Sequence, residues 1–179
     1  GEDISVIGAS RTDAGVHALC NMAVFDTENR ILPKKIAPAL NARLPEDIRV
    51  QRSIEVEPDF HPRRCNTKKT YEYRIYMGRY ENPIGRQYAH FVYVPLDVEK
   101  MQTAAEYLVG EHDFKSFCVA KAQVLTTVRT LYSAEVKKEG GYLLIRVSGS
   151  GFVFNMVRII AGTLLRVGTG LYPPEHVEE

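Results

Sequence analysis

A guanidinium, a hydroxyl, a carboxylate and an imidazole fall within seven residues in Ser10-Arg11-Thr12-Asp13-Ala14-Gly15-Val16-His17. Groups of these types side by side can bind a polar substrate and move protons or form a covalent bond to it. Asp-Ala-Gly is also ordinary turn chemistry, because Asp bonds its own backbone and Gly tolerates positive φ. Both readings of Asp13 stand on composition alone, and its company favours the reactive one. The apolar runs on either side, 4–7 and 22–25, read as strands, so the octet reads as a loop. Scaffolds commonly present reactive groups on such loops.

Two further concentrations of chemistry follow. Arg63, Arg64, Lys68, Lys69, Arg74, Arg79 and Arg86 crowd one stretch against Glu72 and Glu81, with Tyr71, Tyr73, Tyr76 and Tyr80 interleaved. Cations beside aromatic rings suit phosphate contact and base stacking. A solvated strand face with buried tyrosines has the same composition, and both readings stay open. The second is Arg158, set within an apolar run from Phe152 to Leu165. An unpaired guanidinium buried there would cost several kcal/mol. It therefore calls for an anionic partner or a polar cleft, with Asn155 three residues earlier marking the polar opening. A snorkelling arginine is the alternative, and a mid-helix position argues against it.

The elements that would position these groups are legible from periodicity. Strands are expected at 4–9 and 19–26, a short helix at 33–44 with Pro38 tolerable near its first turn, and a strand at 47–56. A long strand at 67–77 puts Tyr71, Tyr73, Ile75 and Met77 on one face. A strand at 88–94 precedes a helix capped by Asp97 and stopped by Gly110. A loop or edge segment at 113–117 leads to a hairpin, 127–137 with 142–148, turning at Glu139-Gly140-Gly141. The last helix, 152–167, is apolar nearly all round and so expected to be buried. His61, between Phe60 and Pro62, reads as a packing or capping residue.

Bulk properties exclude several classes. At 45% apolar and 25% charged among 179 residues, the chain is globular rather than disordered. No apolar run reaches ~18 residues, so no membrane span is expected. Cys20, Cys65 and Cys118 are widely spaced, with no Cys-x-x-Cys; neither a zinc site nor a disulfide framework is suggested, and a cytoplasmic setting is expected. A metal-dependent hydrolase built on Asp13, His17 and His61 matches no metal-ligand spacing. Net charge is only +1, so any nucleic-acid contact must rest on local charge.

Arg11-Thr12-Asp13-Ala14-Gly15-Val16-His17 resembles the signature of the TruA-type tRNA pseudouridine synthases, whose motif Asp is catalytic. The resemblance extends through 41–48 (Asn-Ala-Arg-Leu-Pro-Glu-Asp-Ile), Phe60-His61-Pro62-Arg63, 69–74 (Lys-Thr-Tyr-Glu-Tyr-Arg), 110–117 and 151–158 with Gly162. Two features depart from it. The family's opening Tyr-Asp-Gly…Gly-Trp-Gln pattern is missing, in a chain with no Trp, and its closing structure is also missing. A piece of a longer protein is therefore expected.

The resemblance implies an α+β fold: the pseudouridine synthase fold, a largely antiparallel mixed sheet with flanking helices and a central cleft open to RNA. The division expected is 1–60, carrying the Asp loop, and 61–179. The implied reaction isomerises uridine to pseudouridine in the anticodon stem-loop of tRNA, by a homodimer, with no cofactor and no metal. Asp13 is the implied nucleophile, Tyr71 the active-site tyrosine and Arg158 the cation that grips Asp13. Tyr71 would stack on the uracil and help remove the C5 proton. The target base must leave its stack, and Arg11 would plug the vacated space. Thr12, His17, Arg63, Lys68, Lys69 and Asn155 complete the expected RNA-binding set. A non-catalytic RNA-binding homologue is the alternative.

Overall fold

A computed structural model describes residues 2–65, 67–119 and 125–178. The chain divides into two compact units, Gly1–Cys65 and Asn66–Glu179.

In the first unit, β1 (Ile7–Gly8) pairs antiparallel with β2 (Ala23–Val24). Both strands are shorter than the expected 4–9 and 19–26, although Ala9 N–H extends the pairing by donating to Met22 O at 2.8 Å. Helix α1 spans Pro33–Asn41 and keeps Pro38 in its second turn rather than its first. A proline there lacks the N–H that would bond back one turn. One rung earlier in the ladder, the Ser53 hydroxyl accepts from Ala37 N–H at 2.8 Å and donates to Pro33 O at 2.6 Å. It thus bridges the two groups that an uninterrupted helix pairs directly.

The strand expected at 47–56 does not form. Its alternation is real, yet Ile48, Ile54 and Val56 are exposed. Backbone groups that a sheet would pair are taken by side chains instead. Asn41 donates to Val50 O at 2.9 Å and accepts from Val50 N–H at 2.8 Å. Residues 2–65 contain only two buried residues, Ala37 and Pro62.

The second unit is a five-stranded mixed sheet in the order β4-β3-β7-β6-β5. The strands are β3 (Lys69–Met77), β4 (His90–Val92), β5 (Gly110–Asp113), β6 (Val128–Glu139) and β7 (Tyr142–Gly149). Only β3 and β4 run parallel. Hairpin β6–β7 turns at Gly140 and Gly141, whose φ values of 58° and 83° suit the two-residue turn that matches strand twist.

Tyr71, Tyr73 and Ile75 on β3 lie on the same face as Ile145 and Val147 on β7 and Ala134 and Val136 on β6. This face joins helices α2 (Val98–Glu106) and α3 (Met156–Gly168) in one core. Asp97 caps α2, accepting from Lys100 N–H at 3.1 Å. The segment after Gly110 is an edge strand followed by a 3-10 turn, Phe114–Phe117. The opposite sheet face is charged: Glu72 takes both Arg74 and Arg146, Arg146 reaches Glu139, and Lys137 bridges Glu135 and Glu139.

Helix α3 differs from expectation at its start and on its surface. It begins at Met156, not 152, because Asn155 is left-handed, with φ 61°. It is also amphipathic rather than buried all round. Met156, Ile160, Ala161, Leu164 and Val167 are buried, while Arg158, Gly162 and Arg166 form an exposed line one turn apart.

Candidate active site

The Asp13 loop is fastened where it leaves and rejoins the sheet. Asn21 donates its side-chain amide to Ser10 O at 3.2 Å, beside the Ala9–Met22 bond. Arg63 reaches across from the end of the unit and donates its Nε–H to Gly8 O at 2.8 Å. Arg63, expected among the RNA contacts, thus also holds the base of the loop. At the tip, Val16 N–H donates to Asp13 O at 3.1 Å and Gly15 has φ 78°. That is the geometry of a turn requiring Gly at its third position. Asp13 is half-buried, whereas Arg11, Thr12 and His17 are exposed beside it. One loop therefore presents all four groups together.

In the second unit, Tyr71 stands on β3 opposite Val147, its side chain half-buried against the core. Phe152 meets it edge-on, with ring centroids 4.9 Å apart. Sequence reasoning placed Phe152 inside a helix and missed it as Tyr71's neighbour. Lys69 begins β3, and Lys68, just before it, is exposed.

Arg158 is the third residue of α3 and is exposed. This corrects the expectation of a mid-helix guanidinium held in an apolar interior, so desolvation supplies no argument for its pairing. Its position supplies another. A cation in the first turn adds to the positive end of the helix dipole, so an anion there is attracted by both. Asn155 does not share a helical face with Arg158, since it precedes the helix.

The basic and aromatic stretch divides between the two readings. Tyr71 and Tyr73 pack against the core, and Tyr76 lies near Tyr142 and Phe91. Tyr80 is 72% exposed, and the Arg79 guanidinium stacks over it at 5.3 Å. Arg74 is engaged by Glu72 at 2.7 Å. Lys68, Arg63, Arg64, Arg79 and Arg86 remain exposed cations. Among the described residues no three His, Cys, Asp or Glu side chains gather as a metal site would require.

Comparison with known proteins gives these groups their context. A family profile described as tRNA pseudouridine synthase matches residues 1–63 and 104–179. The chain belongs to that family, and its sheet and helices are the α+β arrangement of a pseudouridine synthase. It is 47% identical over 178 residues to tRNA pseudouridine synthase A of Bacillus licheniformis, covering 99% of this chain and 72% of that protein. It is 47% identical over 170 residues to tRNA pseudouridine synthase A of Shouchella clausii, covering 95% and 65%. A protein of Clostridium perfringens named tRNA pseudouridine synthase A 2 is 45% identical, covering 99% and 73%. No helix among the described residues is long and apolar enough to cross a membrane.

Proposed function

We propose that this chain isomerises uridine to pseudouridine in tRNA, in the anticodon stem-loop, with the Asp13 carboxylate carrying the chemistry. One observation carries the reading: the family match that runs through 1–63 contains the complete Arg11 to His17 loop. The reaction breaks the bond from C1′ to N1 of uracil, turns the base and joins C5 to C1′. The C5 proton leaves, N1 gains one, and atoms and charge balance without an oxidant or a cofactor. Asp13 acts either at the sugar or by adding to the base ring.

Arg158 is the counter-charge in this account, its fork gripping the Asp13 carboxylate and fixing its direction. Tyr71, backed by Phe152, supplies a ring for the extruded uracil and a hydroxyl near its C5. Arg11 fills the space the base leaves. Thr12, His17, Lys68, Lys69 and the exposed arginines hold the tRNA, mainly through phosphates, so shape governs recognition. Kinship with the family supports an RNA-binding cleft and a cytoplasmic homodimer.

Tritium release from tRNA labelled at uridine C5 tests the reading. Release by the intact protein is expected, and Asp13→Asn is expected to reduce release to a slow residual rate while leaving tRNA binding in place. Binding without release by the unmutated protein would instead identify a non-catalytic RNA-binding homologue.

A further inference from the structure

The apolar pattern carries the last helix back to residue 152, yet α3 begins at Met156, and one residue makes the difference. Asn155 has φ 61° and ψ 6°, and it alone among the described non-glycine residues has positive φ. Few L-residues adopt that region, and Asn tolerates it better than most. The Asn155 side chain makes no capping hydrogen bond to the helix. The backbone around it is hydrogen-bonded through the turn: Met156 N–H donates to Val153 O at 3.1 Å, and Ile159 N–H donates to Asn155 O at 3.0 Å. Val153 and Met156, 5% and 1% exposed, anchor the two sides of the turn in the core.

Two groups depend on where this turn falls. Phe152, kept out of the helix, is the ring set edge-on against Tyr71. Arg158, two residues into the helix, sits in the first turn with its side chain exposed instead of a turn deeper. A right-handed residue 155 would let the helix run back through 152–155, turning Phe152 away from Tyr71 and leaving Arg158 a turn inside the helix instead of at its start. Backbone strain kept in a folded protein clusters where it serves function.

We propose that Asn155 is a positioning residue whose left-handed backbone, not its amide, starts α3 and thereby places Arg158 and Phe152 for the uridine reaction. This rests on the function proposed above. The test compares Asn155→Gly, Asn155→Asp and Asn155→Ala in the intact protein. Gly and Asp enter the left-handed region more readily than Ala, and all three lack the amide donor. The expected result is a kcat for tritium release at least about tenfold lower in Asn155→Ala than in Asn155→Gly, with Asn155→Asp grouping with Gly and KM for tRNA similar throughout. Equal losses in all three, a shared rise in KM, or no loss in any would overturn it.

A second readout is independent of activity. Backbone NMR shifts of residues 152–158 should move towards helix in Asn155→Ala and stay in place in Asn155→Gly. Unmoved shifts in Asn155→Ala would sink the proposal even in an active enzyme. An unmutated protein that releases no tritium, with the shifts moving as expected, would instead remove the function and leave the backbone role standing.

Discussion

Ile145 and Ile54 carry the same side chain and sit in opposite circumstances. Ile145, on β7, is 0% exposed on the face shared with Tyr73 and Val136. Ile54 is 58% exposed in a segment without secondary structure. Each belongs to an apolar series that recurs at every second residue, Leu143-Ile145-Val147 for one and Ile54-Val56 for the other. The pattern is realised as burial in Asn66–Glu179, where a continuous five-stranded sheet gives each inward residue a neighbour on the next strand. In Gly1–Cys65 the same pattern is not covered, and backbone groups are satisfied one at a time by Asn21, Asn41, Ser53 and Arg63. One unit is held by its core, the other by point contacts. The carboxylate loop belongs to the second kind, which suits a segment that must admit a large substrate.

The contrast is broken most severely by truncation. Ile145→Ala should cost about 2–5 kcal/mol in urea unfolding, from lost burial and a residual cavity. Ile54→Ala should change stability by no more than about 0.5 kcal/mol. Similar costs for the two would show that the units are not built differently.

Ser53→Ala sharpens the comparison on the weaker side. Losing the hydroxyl that bridges Ala37 N–H and Pro33 O should cost about 1 kcal/mol. The cost should appear as faster amide exchange within Pro33–Asn41 while β3, β6 and β7 keep their protection. Unchanged exchange in α1 would mean that the bridge contributes nothing.

The smallest effect lies on the charged sheet face. Burial raises the Glu72 carboxyl, but hydrogen bonds and charge from Arg74 and Arg146 outweigh it, and the net pKa is lowered. A folded pKa below the unfolded one contributes stability that is complete above the ordinary carboxylate range. It is lost as pH falls through the folded value. Glu72→Gln should therefore flatten the decline of urea stability between neutral pH and about pH 3. An acid limb identical to that of the unmutated protein would contradict this.

Legibility in the sequence follows the same division. Strand β3, the face it buries, the Asp97 cap and the Gly-Gly hairpin were all readable, because local pattern and tertiary burial agree there. The strand expected at 47–56 was not, since period-two alternation says which residues could be buried and nothing about whether a partner strand lies beside them. Ser53's bridge within α1 is invisible in the sequence because it joins residues 20 positions apart through a single hydroxyl. At Arg158 the residue stands out in the sequence, but its surroundings are misread there. Hydrophobic periodicity ran through Asn155, where a left-handed backbone ends it. The Asp13 loop was found from residue types and spacing, and what fixes its base, Arg63 and Asn21, was not.

The account rests on Asp13 and Arg158 working as one unit, and a double-mutant cycle in tritium release measures that directly. Asp13→Asn, Arg158→Met and the double variant would be compared by kcat/KM, with tRNA binding followed alongside. If Arg158 acts through the carboxylate, the double variant should be no slower than Asp13→Asn alone, because the second substitution removes nothing further. Losses that multiply, with each substitution costing its full factor in the presence of the other, would contradict the pairing.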